Sequence, residues 1–240
     1  QPYYLGVGGT LSVQNPPENV APSRFTFDPK NPVPTIGGSM SAADPIMVAG
    51  AFDQRGRQDF HGSKDTLPLN MRPDILTFQS EELNQDVEAT GPIGVRMWIA
   101  SSAVDTDFTV KLIDGHPPTD DYPDGLAINI TDSIMRTRYR DSWEKPELME
   151  PGTVYELSFE LFPTSVIFQK QHRIRVDISS SNWPRFDVNP NTGGALGIEQ
   201  SWVVARQEIY HDADHPSHVI LPVIPSRSVG GTGSQGPGTL

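Results

Sequence analysis

Apolar residues recur at every second position in one short segment after another, and no stretch of comparable length carries a 3.6-residue repeat. The alternation is strict at Ile93-Val95-Met97-Ile99, Phe108-Val110-Leu112, Leu126-Ile128-Ile130, Tyr155-Leu157-Phe159-Leu161, Ile174-Val176-Ile178 and Val219-Leu221-Val223. Weaker candidates are Tyr3-Leu5, Arg24-Phe27, Asp74-Phe78, Met135-Tyr139 and Trp202-Ile209. Successive side chains of a strand point to opposite faces, so each segment reads as a strand with one buried side. Pro (23) and Gly (21) punctuate these runs and supply the turns between them. About ten such strands predict two packed antiparallel sheets, an all-β sandwich of jelly-roll type. A doubly wound α/β sheet within these residues is excluded by the missing helical period.

A chain of 240 residues is long enough to bury a full core as one all-β unit. We expect one domain over 1–225, with long loops over one sandwich end at 28–73. A Gly/Ser-rich tail of linker composition follows at 226–240. The stretch 114–125 reads as an acidic turn. A net charge of -12 argues against a nucleic-acid-binding surface, which needs clustered Lys and Arg. No apolar run approaches the roughly 20 residues of a membrane-crossing helix, so no membrane partner is expected. With no cysteine, disulfides and thiolate metal sites are excluded, and the compartment, cytoplasmic or secreted, stays open. The chain opens on Gln1 without an initiator Met, as a fragment or processed product would.

No catalytic constellation emerges. Gly37-Gly38-Ser39-Met40-Ser41 approaches a nucleophile elbow but ends on Ser41 instead of Gly, and no strand and helix flank it. His211 and His215 are four apart, with His218 close behind, yet Pro216 and the strand-like flanks keep them from sharing a face. Asp187, Asn189 and Asn191 imitate the start of a calcium loop, but the glycine comes one place late at Gly193 and the twelfth position is Ile198. These three are expected to brace their own loop by hydrogen bonds. Asp120, Asp121 and Asp124 read as a solvated turn. No metal or cofactor is expected. Arg136, Arg138 and Arg140 alternate along one segment and call for carboxylates such as Asp105, Asp107 and Asp177 as buried or interfacial partners.

Several ordered stretches carry a family likeness: "DPKNPVPTIGG" (28–38), "DQR" (53–55), "RPDILTFQSEEL" (72–83), "DTDFTVKLID" (105–114), "YPDGLAINITDSIMRTRYR" (122–140), "HRIRVDISSSNWPRFDVNPNTGG" (172–194) and "YHDADHPSHVILPVIP" (210–225). From about Tyr3 to Pro225 the chain resembles the C-terminal domain of the Xaa-Pro dipeptidyl-peptidase, cocaine esterase, α-amino acid ester hydrolase and glutaryl-cephalosporin acylase family of serine hydrolases. The segment 56–71 is longer than the usual link, and Trp183 replaces the commoner Phe.

The resemblance implies a galactose-binding-domain-like jelly roll packed on the catalytic α/β-hydrolase domain of the same protein, with the Ser, Asp and His of the triad outside these residues. On this reading the domain has no catalytic residue of its own. The loop Ser39, Met40 and Ser41 borders the substrate pocket, and Trp183, Arg185 and Phe186 face the catalytic domain. Association of identical chains is compatible with the sequence. The alternative is a free-standing carbohydrate-binding module, which would show two or three aromatics on one exposed face.

Overall fold

The computed structural model describes residues 1–44, 46–195 and 197–225. Its strands are β1 (Pro2–Gly6), β2 (Thr10–Ser12), β3 (Ser23–Phe27), β4 (Leu76–Gln79), β5 (Val87–Ser101), β6 (Asp107–His116), β7 (Leu126–Arg136), β8 (Tyr155–Phe168), β9 (Arg173–Ser179), β10 (Ala205–Tyr210) and β11 (His218–Ile220). Three short 3-10 turns occur among the described residues, and no α-helix. Among these residues no helix is therefore long and apolar enough to cross a membrane.

Hydrogen bonds connect the strands in the order β3-β10-β5-β11-β1-β2-β4-β9-β6-β7, with β8 on the other side of β5. This continuous path folds over on itself as a sandwich. The inward sets Ile93, Val95, Met97 and Ile99 from β5, Phe108, Val110 and Leu112 from β6, and Ile174, Val176 and Ile178 from β9 share one buried cluster. Phe25 of β3 meets Phe108 of β6 edge-to-face across the two layers, at 6.4 Å. Within β5, Pro92 has no N–H to give the ladder, and the pairing with β8 slips by one residue between Gly91 and Ile93.

The segment 28–73 forms a layer of loops against the β9-β6-β7 side of the sandwich, with its own small core of Val33, Ile36, Phe60, Leu69 and Ile75. Backbone bonds tie it down: Asp53 bridges to Ile128 and Pro34 to Trp183, while the Gln54 N–H donates to the Ala127 carbonyl at 2.8 Å. As a result the outward residues Lys111, Ile113 and Asp177 are buried too.

Two expected strands come out differently. Met135–Tyr139 is not one strand, because β7 stops at Arg136 and Thr137–Tyr139 turns as a 3-10 segment. Trp202–Val204 stays outside β10, which starts at Ala205. The short β2 carried too little alternation to be anticipated. The 226–240 tail lies outside the described residues.

Candidate functional site

The two loops singled out from sequence lie against each other. The Trp183 N–H donates to the Val33 carbonyl at 2.9 Å, and the Thr35 N–H to the Trp183 carbonyl at 2.7 Å. The Arg185 N–H then reaches the Thr35 hydroxyl at 3.3 Å. The Arg185 guanidinium turns inward between the loops, its side chain only 2% exposed. One nitrogen sits 2.5 Å from Asp132 of β7, itself 1% exposed, and another donates to the Ser39 hydroxyl at 3.2 Å. Phe162 and Phe186 flank the guanidinium, each ring centroid 5.3 Å away. The Asn182 amide donates to the second Asp132 oxygen at 3.1 Å. Arg185 is thus a strut beneath the surface, while Ser39, Met40 and Ser41 are exposed above it. Trp183 is half-buried against His61, ring centroids 4.7 Å apart.

Beneath the 28–73 layer the signature residues form a polar network. The Lys111 ammonium donates to the Gln54 side-chain oxygen at 2.9 Å, and the Gln54 amide donates to the Ile36 carbonyl at 2.9 Å. Burial pushes the Lys111 pKa down, against the pull of Asp132 and Asp177. Those two are its direct cross-strand neighbours. Arg175 clasps Asp177 at 2.8 and 2.7 Å, and Arg72 clasps Asp74 in the same bidentate way. The "DQR" motif therefore fastens the loop layer to the sheet through Lys111 and Ala127, while "RPD" braces the layer itself, Arg72 donating to the Asn31 carbonyl at 2.8 Å.

The arginine row finds carboxylates, with one change of partner. Arg136 binds Asp107 bidentately at 2.8 and 2.9 Å, a contact that holds the guanidinium pKa above its ordinary value. Arg138 binds Asp105 at 2.9 Å. Asp177 belongs to Arg175, and Arg140 lies over the Tyr155 ring beside Asp141. The Asn189 amide bridges Asp105 and Asp107, at 2.8 Å to each. Its oxygen accepts the Asn191 N–H at 2.9 Å, whereas Asp187 is exposed. Asp120, Asp121 and Asp124 are exposed.

The three histidines near the C-terminal end go separate ways. His211 is buried, its Nε2 2.9 Å from the Ser23 hydroxyl and its Nδ1 without a partner among the described residues. Burial lowers its pKa. A Ser–His contact with no carboxylate behind the imidazole and 2% exposure cannot receive a substrate. His215 pairs with Asp212 at 3.0 Å, and His218 faces the Pro216 carbonyl. A different cluster, missed in the sequence, joins Asp114 and His116 at the end of β6 to His172 just before β9. Asp114-Gly115-His116 has the i, i+2 spacing of one strand face, but His172 is 58 residues from Asp114 and only strand register unites them.

A second feature missed in the sequence is an exposed apolar run, Trp202, Val203 and Val204, beside exposed Ile198. Asn191 anchors it by donating to the Val203 carbonyl at 2.7 Å.

The sandwich thus spends its buried arginines on internal carboxylates, and two of its loops meet at the exposed Ser39. The chain belongs to the X-Pro dipeptidyl-peptidase C-terminal non-catalytic domain family, which matches residues 2–220. It is 38% identical over 238 residues to a cocaine esterase from Rhodococcus sp. (strain MB1 Bresler), covering 93% of this chain and 37% of that protein. It is also 28% identical over 171 residues to a putative serine esterase of Mycobacterium bovis (strain ATCC BAA-935 / AF2122/97), covering 62% of this chain and 24% of that one. Among solved structures, an α-amino acid ester hydrolase superposes with a TM-score of 0.81 at 30% identity, over 93% of this chain and 36% of the other. An aminopeptidase from a marine sediment archaeon, Thaumarchaeota archaeon, gives 0.80 at 26% identity over the same shares. The chain thus spans between about a quarter and little more than a third of these longer proteins.

Proposed function

We propose that this chain is the non-catalytic C-terminal domain of an α/β-hydrolase-type serine hydrolase that cleaves acyl esters, acyl amides or Xaa-Pro dipeptides. It packs on the catalytic domain of the same protein and borders its substrate pocket with Ser39, Met40 and Ser41. Trp183, Arg185 and Phe186 form the base on which that loop stands. The observation that carries this reading is the Asp132–Arg185–Ser39 chain of contacts, which fixes an exposed loop from below. Met40, 55% exposed, presents a flexible apolar side chain at the tip. Its relatives, esterases, an ester hydrolase and an aminopeptidase, support acyl transfer as the chemistry.

In a hydrolase carrying this domain together with its catalytic domain, Met40→Ala is expected to shift kcat/KM ratios between short and long acyl groups several-fold. Stability should stay within about 0.5 kcal/mol, since the side chain is mostly in solvent. Uniform loss across substrates, or no change, would remove Met40 from the pocket wall.

A further inference from the structure

We propose that Asp114, His116 and His172 form a binding site for a divalent transition-metal ion of the zinc type. Strand geometry brings them together. Asp114 and His116 are two apart on β6 and so share a face. The antiparallel register pairs Asp114 with Ile174 and Gly115 with Arg173, which leaves His172 opposite His116.

The distances suit a metal. His172 Nδ1 lies 2.9 and 3.1 Å from the two Asp114 oxygens, and His116 Nε2 lies 3.2 Å from Asp114 Oδ2. The three ligand atoms all fall within 4.8 Å of one another. A tetrahedral zinc with bonds of about 2.0–2.1 Å has ligand–ligand edges of roughly 3.3–3.4 Å. Closure around an ion thus needs shifts of a few tenths of an ångström at the Asp114 edges.

Chemistry points the same way. Two imidazoles and one carboxylate are the donor set that zinc, cobalt and nickel favour over calcium or magnesium. One imidazole would satisfy Asp114 as an ion-pair partner. Here two converge on the same oxygen, with their rings 4.3 Å apart. Burial is graded: the Asp114 and His172 side chains are 9% and 12% exposed, His116 34%. His116 also lines a cavity of about 630 Å³ with Pro117, Gly125 and Arg173, which gives an ion and its remaining water ligand a way in.

The test is titration of the metal-stripped protein with zinc, read by calorimetry and by melting temperature. One-to-one binding is expected, with Tm raised by roughly 5–10 °C at a hundredfold excess over Kd. His172→Ala and His116→Gln should each weaken binding at least tenfold, while His215→Ala, altering the separate Asp212 pair, should leave it unchanged. Should His172→Ala fail to fold, His116→Gln decides, since that side chain is the most exposed of the three. Absence of saturable binding, or binding that His116→Gln leaves intact, overturns the site.

Discussion

Single residues in this domain carry consequences out of proportion to their surface. Asp132 is fully enclosed, and among the described residues the Arg185 guanidinium has no other carboxylate within ion-pair distance. Asp132→Asn strands that positive charge in a dry site, and removing one member of a buried pair costs about 3–5 kcal/mol. Chemical denaturation should show a loss of this size, and a double replacement of Asp132 and Arg185 by apolar residues should lose less than the two single changes summed. A loss under about 1 kcal/mol for Asp132→Asn would mean the pair is effectively solvated. His211 makes stability depend on pH. Its folded pKa is depressed below 6.5 by burial, so the unfolded chain takes up the proton first as pH falls. Its contribution is complete above about 6.5 and is lost as pH drops through the lowered folded value. Over that window His211→Gln should flatten the stability curve, by at most about 1.4 kcal/mol per pH unit for one proton. Identical slopes in both proteins would show that His211 takes up its proton alike in the folded and the unfolded chain.

At the scale of elements, the strands with strict alternation were legible because only one of their faces is apolar. Ile93–Ile99, Phe108–Leu112 and Ile174–Ile178 all turn that face into the common core. The end of β7 was not legible. Arg136, Thr137 and Arg138 keep a period of two, but the Thr137 side chain and the Arg138 N–H both bond Asp105, and the chain turns there instead of extending. The outer face of β6 and β7 hid its burial as well, because Thr109 and Lys111 of β6 and Asp132 of β7 look like solvent residues until the 28–73 layer covers them. That layer has almost no strand of its own. Its path depends on Gly37, where φ is +68° and a Cβ would meet the Gly50 carbonyl at 2.4 Å. Of the candidate site, sequence supplied both loops but not their contact. Sequence spacing says nothing of a Ser39–Arg185 hydrogen bond across 146 residues, or of the meeting of His116 with His172.

For the whole molecule, the pairing of the first strand with the last sets how it yields to load. β1 and β11 are antiparallel neighbours, with Pro2 beside Ile220, and the Gln1 ammonium donates to the Leu221 carbonyl at 2.8 Å. Both ends therefore leave from one side of one strand pair. Tension between them pulls across that ladder and breaks its bonds one at a time, as a peel. β5 and β8, paired over twelve positions from Val87 to Ile99, would resist lengthwise tension in parallel, as a lap joint does. Single-molecule stretching is expected to detach β1 from β11 at much lower force through the two ends than is needed when handles at Val87 and Tyr155 pull along the long pair. Equal forces would show that the terminal strands share in the core's strength. On that expectation, strain entering along the chain would be spent on the β1 and β11 pair before the long β5 and β8 ladder is loaded.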